Sequence, residues 1–315
     1  MMKNLLSGRV FVTGGSGSWG KALLSEIRHN GWDCSLVVYS NDEAAHAELG
    51  IQYPEHQFVL GDIRDCDWMA CKMEGCDAVI HAAAFKGVPA VGQHPIEAIK
   101  TNVLGSINVA IAAGRAGIPT AVAISTDKAC CPVNTYGYTK ALMESVIMNV
   151  ETWNTHTMFK VVRLGNFIGS RGSVIPLFAK QGGRLTVTDK RMTRFWMTFR
   201  EAVRWTLIAL RGKPGHIIAP KLLAMGIEDV AKCVSPDAEL VEIGARPGER
   251  MYEMQLGEHE VDRAIDYGSH FDIFPVGSFI SAHADGEYSS ASAPKWEREN
   301  MKMAIDDWRQ NEGYI

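Results

Sequence analysis

Tyr136 and Lys140 stand four positions apart in the run Tyr136-Gly137-Tyr138-Thr139-Lys140. Four residues is close to one helical turn, so both side chains leave one face of a helix. An ammonium near a phenol favours the phenolate and brings a tyrosine toward acting as a base near neutral pH. Tyr138 lies about 200° around the helix from Tyr136 and is the weaker candidate. Just upstream is Ser125-Thr126-Asp127-Lys128. A carboxylic acid beside an amine can expel a hydroxyl as an acid and remove a carbon-bound proton as a base; a surface salt bridge or a capping pair is the competing account. A third group is Gly14-Gly15-Ser16-Gly17-Ser18-Trp19-Gly20, in which Gly14, Gly17 and Gly20 keep a GxxGxxG spacing. Such glycines allow a tight turn, close approach of backbone to a pyrophosphate, and close packing of helix on strand. The N–H groups and positive dipole end of the following helix then face the phosphates.

The elements around these groups alternate. Apolar strands are expected at Val10–Thr13, Ser35–Tyr39, 57–60, 77–81, 121–125 and 160–164. Helical spacing is expected over Lys21–Asn30, 95–113 and 136–150. Strand and helix in alternation predict an α/β fold, a doubly wound parallel sheet with helices on both faces. Near-continuous apolar strands fit a sheet buried on both sides. Asp127 and Lys128 follow a central strand, where open α/β sheets bind ligands. The rhythm breaks after Arg163. We expect a dinucleotide-binding domain over residues 1–164 and a smaller, mainly substrate-binding lobe over 165–315. Segments such as the helix near 200–210 are expected to cross back. The small polar stretch 285–293 (DGEYSSASA) reads as a loop or mobile tail, and an amphipathic helix is expected over 295–308.

The chain has 315 residues, 46% hydrophobic and 22% charged, with a formal net charge of −4. These values exclude disorder, collagen and coiled coil and argue against a nucleic-acid partner. No run of about 18 apolar residues suggests a membrane span, and the N-terminus lacks the long apolar region of a signal peptide. Seven cysteines, an odd number, do not suggest a disulfide framework. Cys66, Cys71, Cys76 and His81 lack zinc-site spacing, so no metal is expected. A cytoplasmic protein is the expectation.

The end of the second strand speaks to the cofactor. Ser40 and Asn41 can donate hydrogen bonds without repelling a 2′-phosphate, which favours NADP, although no Arg follows and NAD stays open. Asp42 and Glu43 suit the start of the next helix. Asp62, with Ile63 after it, is placed for an adenine amino group or for a helix cap.

These pieces resemble an extended short-chain dehydrogenase/reductase with a Rossmann-type sheet. More narrowly, they are similar to the inverting UDP-N-acetylglucosamine 4,6-dehydratases of polysaccharide biosynthesis. The resemblance runs through VTGGSGSWG, YSNDE, GDIRD, HAAAFKGVP, EAIKTNVLGSINV, STDKACCPVNTYGYTK, VVRLGNFIGSRGSVIPLF, LTVTDKRMTRFWMT and ARPGERMYE. It implies that Tyr136 and Lys140 oxidise C4 of the sugar with NADP. It further implies that Asp127 is the acid for the C6 hydroxyl, Lys128 the C5 base, and Thr126 a partner of the C4 oxygen.

The cofactor would meet Gly14, Ser16, Gly17, Ser18, Trp19, Gly20, Ser40, Asn41, Asp62, Ile63, Ala82, Ala83 and Lys86. The UDP-sugar would meet Lys86, Asn166, Arg171, Ser173, Val174, Thr193, Arg194, Arg246 and Glu249, with Arg194 and Arg246 as diphosphate clamps. Asn102 matches the family's buried helix Asn. Asn41 stands where the family usually has Arg, Phe85 and Gly87 are substitutions, and Cys130-Cys131 is unusual. A UDP-sugar 4-epimerase of the same fold and a catalytically silent dinucleotide sensor are the competing readings. The family resemblance also implies a homo-oligomer, a dimer or a hexamer, with helices 97–113 and 136–150 at the dimer contact.

Overall fold

A computed structural model describes residues 5–149 and 156–310. Six strands build the parallel part of the main sheet: β1 (Gly8–Thr13), β2 (Cys34–Ser40), β3 (Gln57–Leu60), β4 (Ala78–His81), β5 (Thr120–Thr126) and β6 (Met158–Leu164). They run in the order β6-β5-β4-β1-β2-β3. Beyond β6 lies strand Ile217–Pro220, parallel to it. Then come His270–Ile273 and Ala264–Asp266, both antiparallel additions. Segments from the second half of the chain thus complete the sheet. Val10, Val12, Val37, Val38, Val79 and Ile80 are essentially inaccessible, as expected for strands covered on both faces.

Helix α1 (Ser18–Asn30) and helix Phe199–Arg211 cover one face. Helices α2 (Glu43–Gln52) and α3 (Cys66–Met73) follow β2 and β3, with Asp42 and Asp65 as their N-caps. Asp42 therefore caps a helix, as its position suggested, whereas Asp62 accepts from the Arg64 N–H two residues on and is not the cap. Beyond the sheet, helices Val174–Gln181, Ile227–Val234 and Arg298–Gln310 pack around Trp196 and Phe178 as a separate apolar cluster.

Two expectations need correction. The single long helix over 95–113 is interrupted by a π-helical stretch at Ile99–Leu104. It carries Asn102, whose amide bonds Phe85 N–H and C=O and the Thr139 hydroxyl, so the wider turn ties the loop after β4 to the helix that carries Tyr136. Such insertions recur at functional sites. The stretch 285–293 is not a mobile tail: Tyr288–Ser289 pairs with Met254–Leu256. Ser290 is fully buried, bonded to Thr193 O and the Glu253 N–H. The helix expected over 136–150 spans Thr135–Met148, with Val150 outside the described residues.

Arg163 on β6 explains how this helix is held. Its buried guanidinium grips Glu144 of the helix at 2.7 Å, Glu260 at 2.9 Å and Gln255 O at 2.9 Å. Ser125 adds a 2.6 Å bond to Glu144. Arg163→Met would leave buried Glu144 without its cation and buried Glu260 with only Arg263, at 3.2 Å. We expect a loss of about 3–5 kcal/mol in urea unfolding; a loss below about 1 kcal/mol contradicts the clamp. Burial alone would raise the Glu260 carboxyl, but the charge and hydrogen bonds of Arg163, the Arg263 charge and the Gly257 N–H together more than reverse that and pull it to about 2. Its folded value lies below its unfolded one, so this stabilisation is present above about pH 4.5 and fades as pH falls toward 2. The wild type should lose stability over that window, and Arg163→Met, which keeps only Arg263 and the Gly257 N–H at Glu260, should show a weaker dependence.

Candidate active site

A cleft of about 850 Å³ opens at the C-terminal ends of the parallel strands. It is lined by the glycine loop, Ser40, Asn41, Asp62, Ile63, Ala82, Ala83 and Lys86 at one end. Thr126, Lys128, Tyr136, Lys140, Asn166, Arg171 and Ser173 line the other.

The glycine loop is shaped for close contact. Gly14 has φ 66°, and a Cβ there would fall 2.6 Å from Ala83 Cα. A Cβ on Gly20 would fall 2.0 Å from Gly15 O, so α1 lies against the loop only because residue 20 is glycine. No side chain caps the first turn of α1, which leaves its dipole end for an anion. These residues fit a dinucleotide. At the end of β2, Ser40 bonds Ser16 and His46 at 2.7 Å each, and the Asp42 carboxylate is engaged by Ala45 N–H. Arg64 and Lys21 bring positive charge to the same cleft, Arg64 held by Asp62 at 2.6 Å and Glu97 at 3.1 Å. Arg64 was overlooked because it comes from the β3–α3 loop rather than from the end of β2.

The candidate catalytic residues meet around Lys128. Its ammonium bonds Asp127 Oδ1 at 2.8 Å and Asn166 Oδ1 at 3.1 Å, and lies 3.5 Å from Glu253 Oε1. Asp127 is fully buried, and its second oxygen has no hydrogen-bond partner among the described residues. Burial pushes the Asp127 carboxyl up, against the pull of Lys128. Burial tends to lower the Lys128 ammonium, but the charges of Asp127 and Glu253 raise it above its ordinary value. Tyr136 is pushed up to about 12, first by burial and partly offset by Lys128 and a hydrogen bond with Thr126. Lys140 does not supply that offset. Its ammonium donates to Ile124 O at 2.7 Å, and burial lowers it to about 8. The helical spacing is as expected, but the ammonium that favours the phenolate belongs to Lys128.

Not every expected residue reaches the cleft. Gly20 packs behind the loop and Asp127 lies beneath the wall. Val174 opens the helix Val174–Gln181 but is not part of the cleft wall. Thr193 is tied to Ser290 at 2.9 Å. Arg194 and Glu249 line a second cavity of about 100 Å³, with Lys128, Arg250 and Glu253. Lys128 faces both spaces. Arg246 lies outside both, its side chain 53% exposed and 3.9 Å from Glu249, whose carboxylate accepts from the Arg246 backbone N–H at 2.9 Å. Arg246 therefore does not converge with Arg194 as a clamp in this structure. Glu253 was missed. It is buried between Lys128 and Arg194, 3.6 Å from the latter, and its only sequence signal was its place at the end of ARPGERMYE.

The sheet, the glycine loop and the Tyr136–Lys140 helix define an extended short-chain dehydrogenase/reductase. Residues 10–275 match the family described as polysaccharide biosynthesis protein, and the chain belongs to that family. It is 35% identical to a UDP-N-acetylglucosamine 4,6-dehydratase (inverting) of Campylobacter jejuni, over 94% of this chain and 96% of the relative. It is 36% identical to a UDP-glucose 4-epimerase of Rickettsia bellii, over 93% of this chain and 91% of that one. A solved structure described as Pen from Bacillus thuringiensis superposes with a TM-score of 0.87 at 31% identity, covering 95% of this chain and 97% of that one.

Proposed function

We propose that this protein removes water across C5–C6 of UDP-N-acetylglucosamine, with inversion at C5, to give a UDP-6-deoxy-4-keto sugar, and that NADP is its cofactor. The observation that carries this reading is the buried acid–amine pair, Asp127 Oδ1 and Lys128 Nζ 2.8 Å apart. The full-length likeness to the Campylobacter dehydratase supports it.

The dinucleotide would rest on the loop Gly14–Gly20 and near Ser40, Asn41, Asp62 and Ile63, and when bound it supplies a hydride acceptor for C4 and a donor for C6. Ser40, Asn41, Lys21 and Arg64, with the Asp42 carboxylate turned to the Ala45 N–H as a helix cap, support NADP over NAD. Tyr136, as the phenolate that the Lys128 ammonium and the Thr126 hydrogen bond favour against burial, takes the C4 hydroxyl proton, and Thr126 beside it orients the C4 oxygen. A 4-ketone acidifies the C5 hydrogen. One proton shift along the Lys128–Asp127 hydrogen bond converts ammonium and carboxylate into a neutral amine and a carboxylic acid. Burial favours that neutral pair. Lys128 then accepts the C5 proton while Asp127 gives its own to the departing C6 hydroxyl, and the pair returns to its charged form. Asn166 keeps Lys128 aimed, and Lys86, Arg171 and Ser173 are placed to hold the UDP-sugar.

Glu253 raises both members of the pair, Asp127 by like charge and Lys128 by attraction. Glu253→Gln should therefore move both limbs of the kcat/KM–pH profile to lower pH. An unmoved profile with reduced stability would make Glu253 a packing residue only.

The likeness to the Rickettsia epimerase favours a second reading, 4-epimerisation, which needs no acid for C6. Incubation with UDP-N-acetylglucosamine, followed by NMR of the sugar, separates them. Dehydration gives a C6 methyl beside a C4 ketone; epimerisation gives the 4-epimer with its C6 hydroxyl intact. Cofactor binding with no turnover would point to a sensor. The same reading takes the chain to be a cytoplasmic homo-oligomer. Its free cysteines and the exposed Ile96, Ile99, Leu104, Tyr138 and Leu142 on segments 95–115 and 135–148 support this.

A further inference from the structure

Cys130 and Cys131 follow directly on the Asp127–Ala129 turn, and the chemistry above uses neither. Among the described residues, Cys131 is the one non-glycine residue with positive φ, at 46°. L residues reach this left-handed region only with strain, which persists where the surroundings enforce it. Here it holds the two Sγ atoms 4.0 Å apart. Cys131 Sγ is 3.6 Å from His259 Nδ1, whereas the buried Cys130 Sγ lies 3.3 Å from Glu260 Oε2. The opposing chain approaches closely enough that a Cβ on Gly257 would fall 2.6 Å from Cys131 Sγ.

The geometry points to a thiol oxidation site in which a hydroperoxide oxidises Cys131 and Cys130 resolves it as a vicinal disulfide, silencing the adjacent Asp127–Lys128 pair. The two thiols are already unlike. The hydrogen bond from Cys130, with His259 and Arg250 nearby, pulls Cys131 down to about 6 despite its burial. The hydrogen bond with Cys131 and burial push Cys130 well up. In the first step the Cys131 thiolate attacks a peroxide oxygen. An S–O bond forms, the O–O bond breaks, and the alkoxide or hydroxide leaves and takes a proton from water; sulfur loses two electrons and the peroxide gains them. In the second step Cys130 gives up its proton and attacks the sulfenic sulfur. The S–S bond forms, the S–O bond breaks, and the hydroxide leaves with that proton as water. Neighbouring Cα atoms lie about 3.8 Å apart, closer than an ordinary disulfide allows, so the bond is strained and a dithiol readily reverses it.

Closing the ring draws Cys130 away from Glu260. Its backbone N–H bonds Asp127 O at 3.2 Å, and its carbonyl accepts from Arg250 at 2.9 Å. The turn that aims Asp127 and Lys128 must then shift, and a displacement of about 1 Å can cost on the order of a hundredfold in rate.

The test treats the full-length, cofactor-loaded protein with equimolar hydrogen peroxide, maps the peptides by mass and follows turnover. The expected result is a Cys130–Cys131 peptide lighter by two hydrogens, a fall in turnover of at least about tenfold, and recovery with dithiothreitol. Cys131→Ser should keep its activity through the treatment, and Cys130→Ser should stop at a sulfenic acid that dimedone traps at Cys131. A measurement on the unmutated chain needs no turnover: iodoacetamide at pH 6 should alkylate native Cys131 about tenfold faster than the same thiol in the urea-unfolded chain. A half-ionised thiol gains more in thiolate fraction than it loses in intrinsic nucleophilicity. Oxidation of the exposed Cys71 ahead of Cys131, or a Cys130–Cys131 disulfide that leaves turnover unchanged, would overturn the proposal. Because peptide mapping and alkylation require no sugar chemistry, their failure is distinct from failure of the dehydratase reading.

Discussion

Asp127→Asn is expected to lower formation of the 6-deoxy-4-keto sugar by about a thousandfold, within the range a positioned general acid contributes. The amide keeps the shape of the side chain and its place beneath the cleft but has no proton to release at neutral pH. Oxidation at C4 does not depend on that proton. UDP-sugar oxidised at C4, still carrying its C6 oxygen, should therefore accumulate to at most one equivalent per site. Product formed at the wild-type rate would remove Asp127 from the acid role. A simple loss of fold would also be visible, because the variant would then fail to oxidise C4 as well.

Tyr136→Phe is expected to lose both reactions. Without the phenol the C4 hydroxyl loses the base placed for its proton, and the 4-ketone that labilises the C5 hydrogen cannot form at an appreciable rate. The loss should again be about 10²- to 10⁴-fold. The ring stays where burial holds it, so thermal stability should change little. The two variants act on successive steps: Tyr136→Phe with Asp127→Asn should be no slower than Tyr136→Phe alone, and no C4-oxidised sugar should appear. Additive losses would contradict the ordering.

The parallel strands and the glycine loop were legible in the sequence because their signals are local. Val10–Val12 is apolar throughout since both faces of β1 are covered, and Gly14 and Gly20 sit where backbone or helix comes within a Cβ's reach. The Tyr136–Lys140 spacing was legible for the same reason. Its electrostatics were not, because Lys140 is turned to Ile124 O by a strand contact 16 residues away in sequence. Glu253, Ser290 and Arg163 owe their roles to partners far along the chain: Lys128 and Arg194, Thr193, and Glu144 and Glu260 respectively. No periodicity marks such residues, and a stretch as small and polar as 285–293 reads as solvent-facing until its buried partners are known. The π-helical stretch at Ile99–Leu104 escaped because one widened turn leaves the helical apolar pattern almost unchanged.

The most direct measurement follows a deuterium label placed at C4 of UDP-N-acetylglucosamine. Tyr136, Asp127 and Lys128 together predict that the label leaves C4 and reappears in the C6 methyl group, while C5 takes up hydrogen from the solvent. A label that returns to C4, with the C6 hydroxyl retained, would show that the elimination does not occur and that the buried acid–amine pair serves some other end.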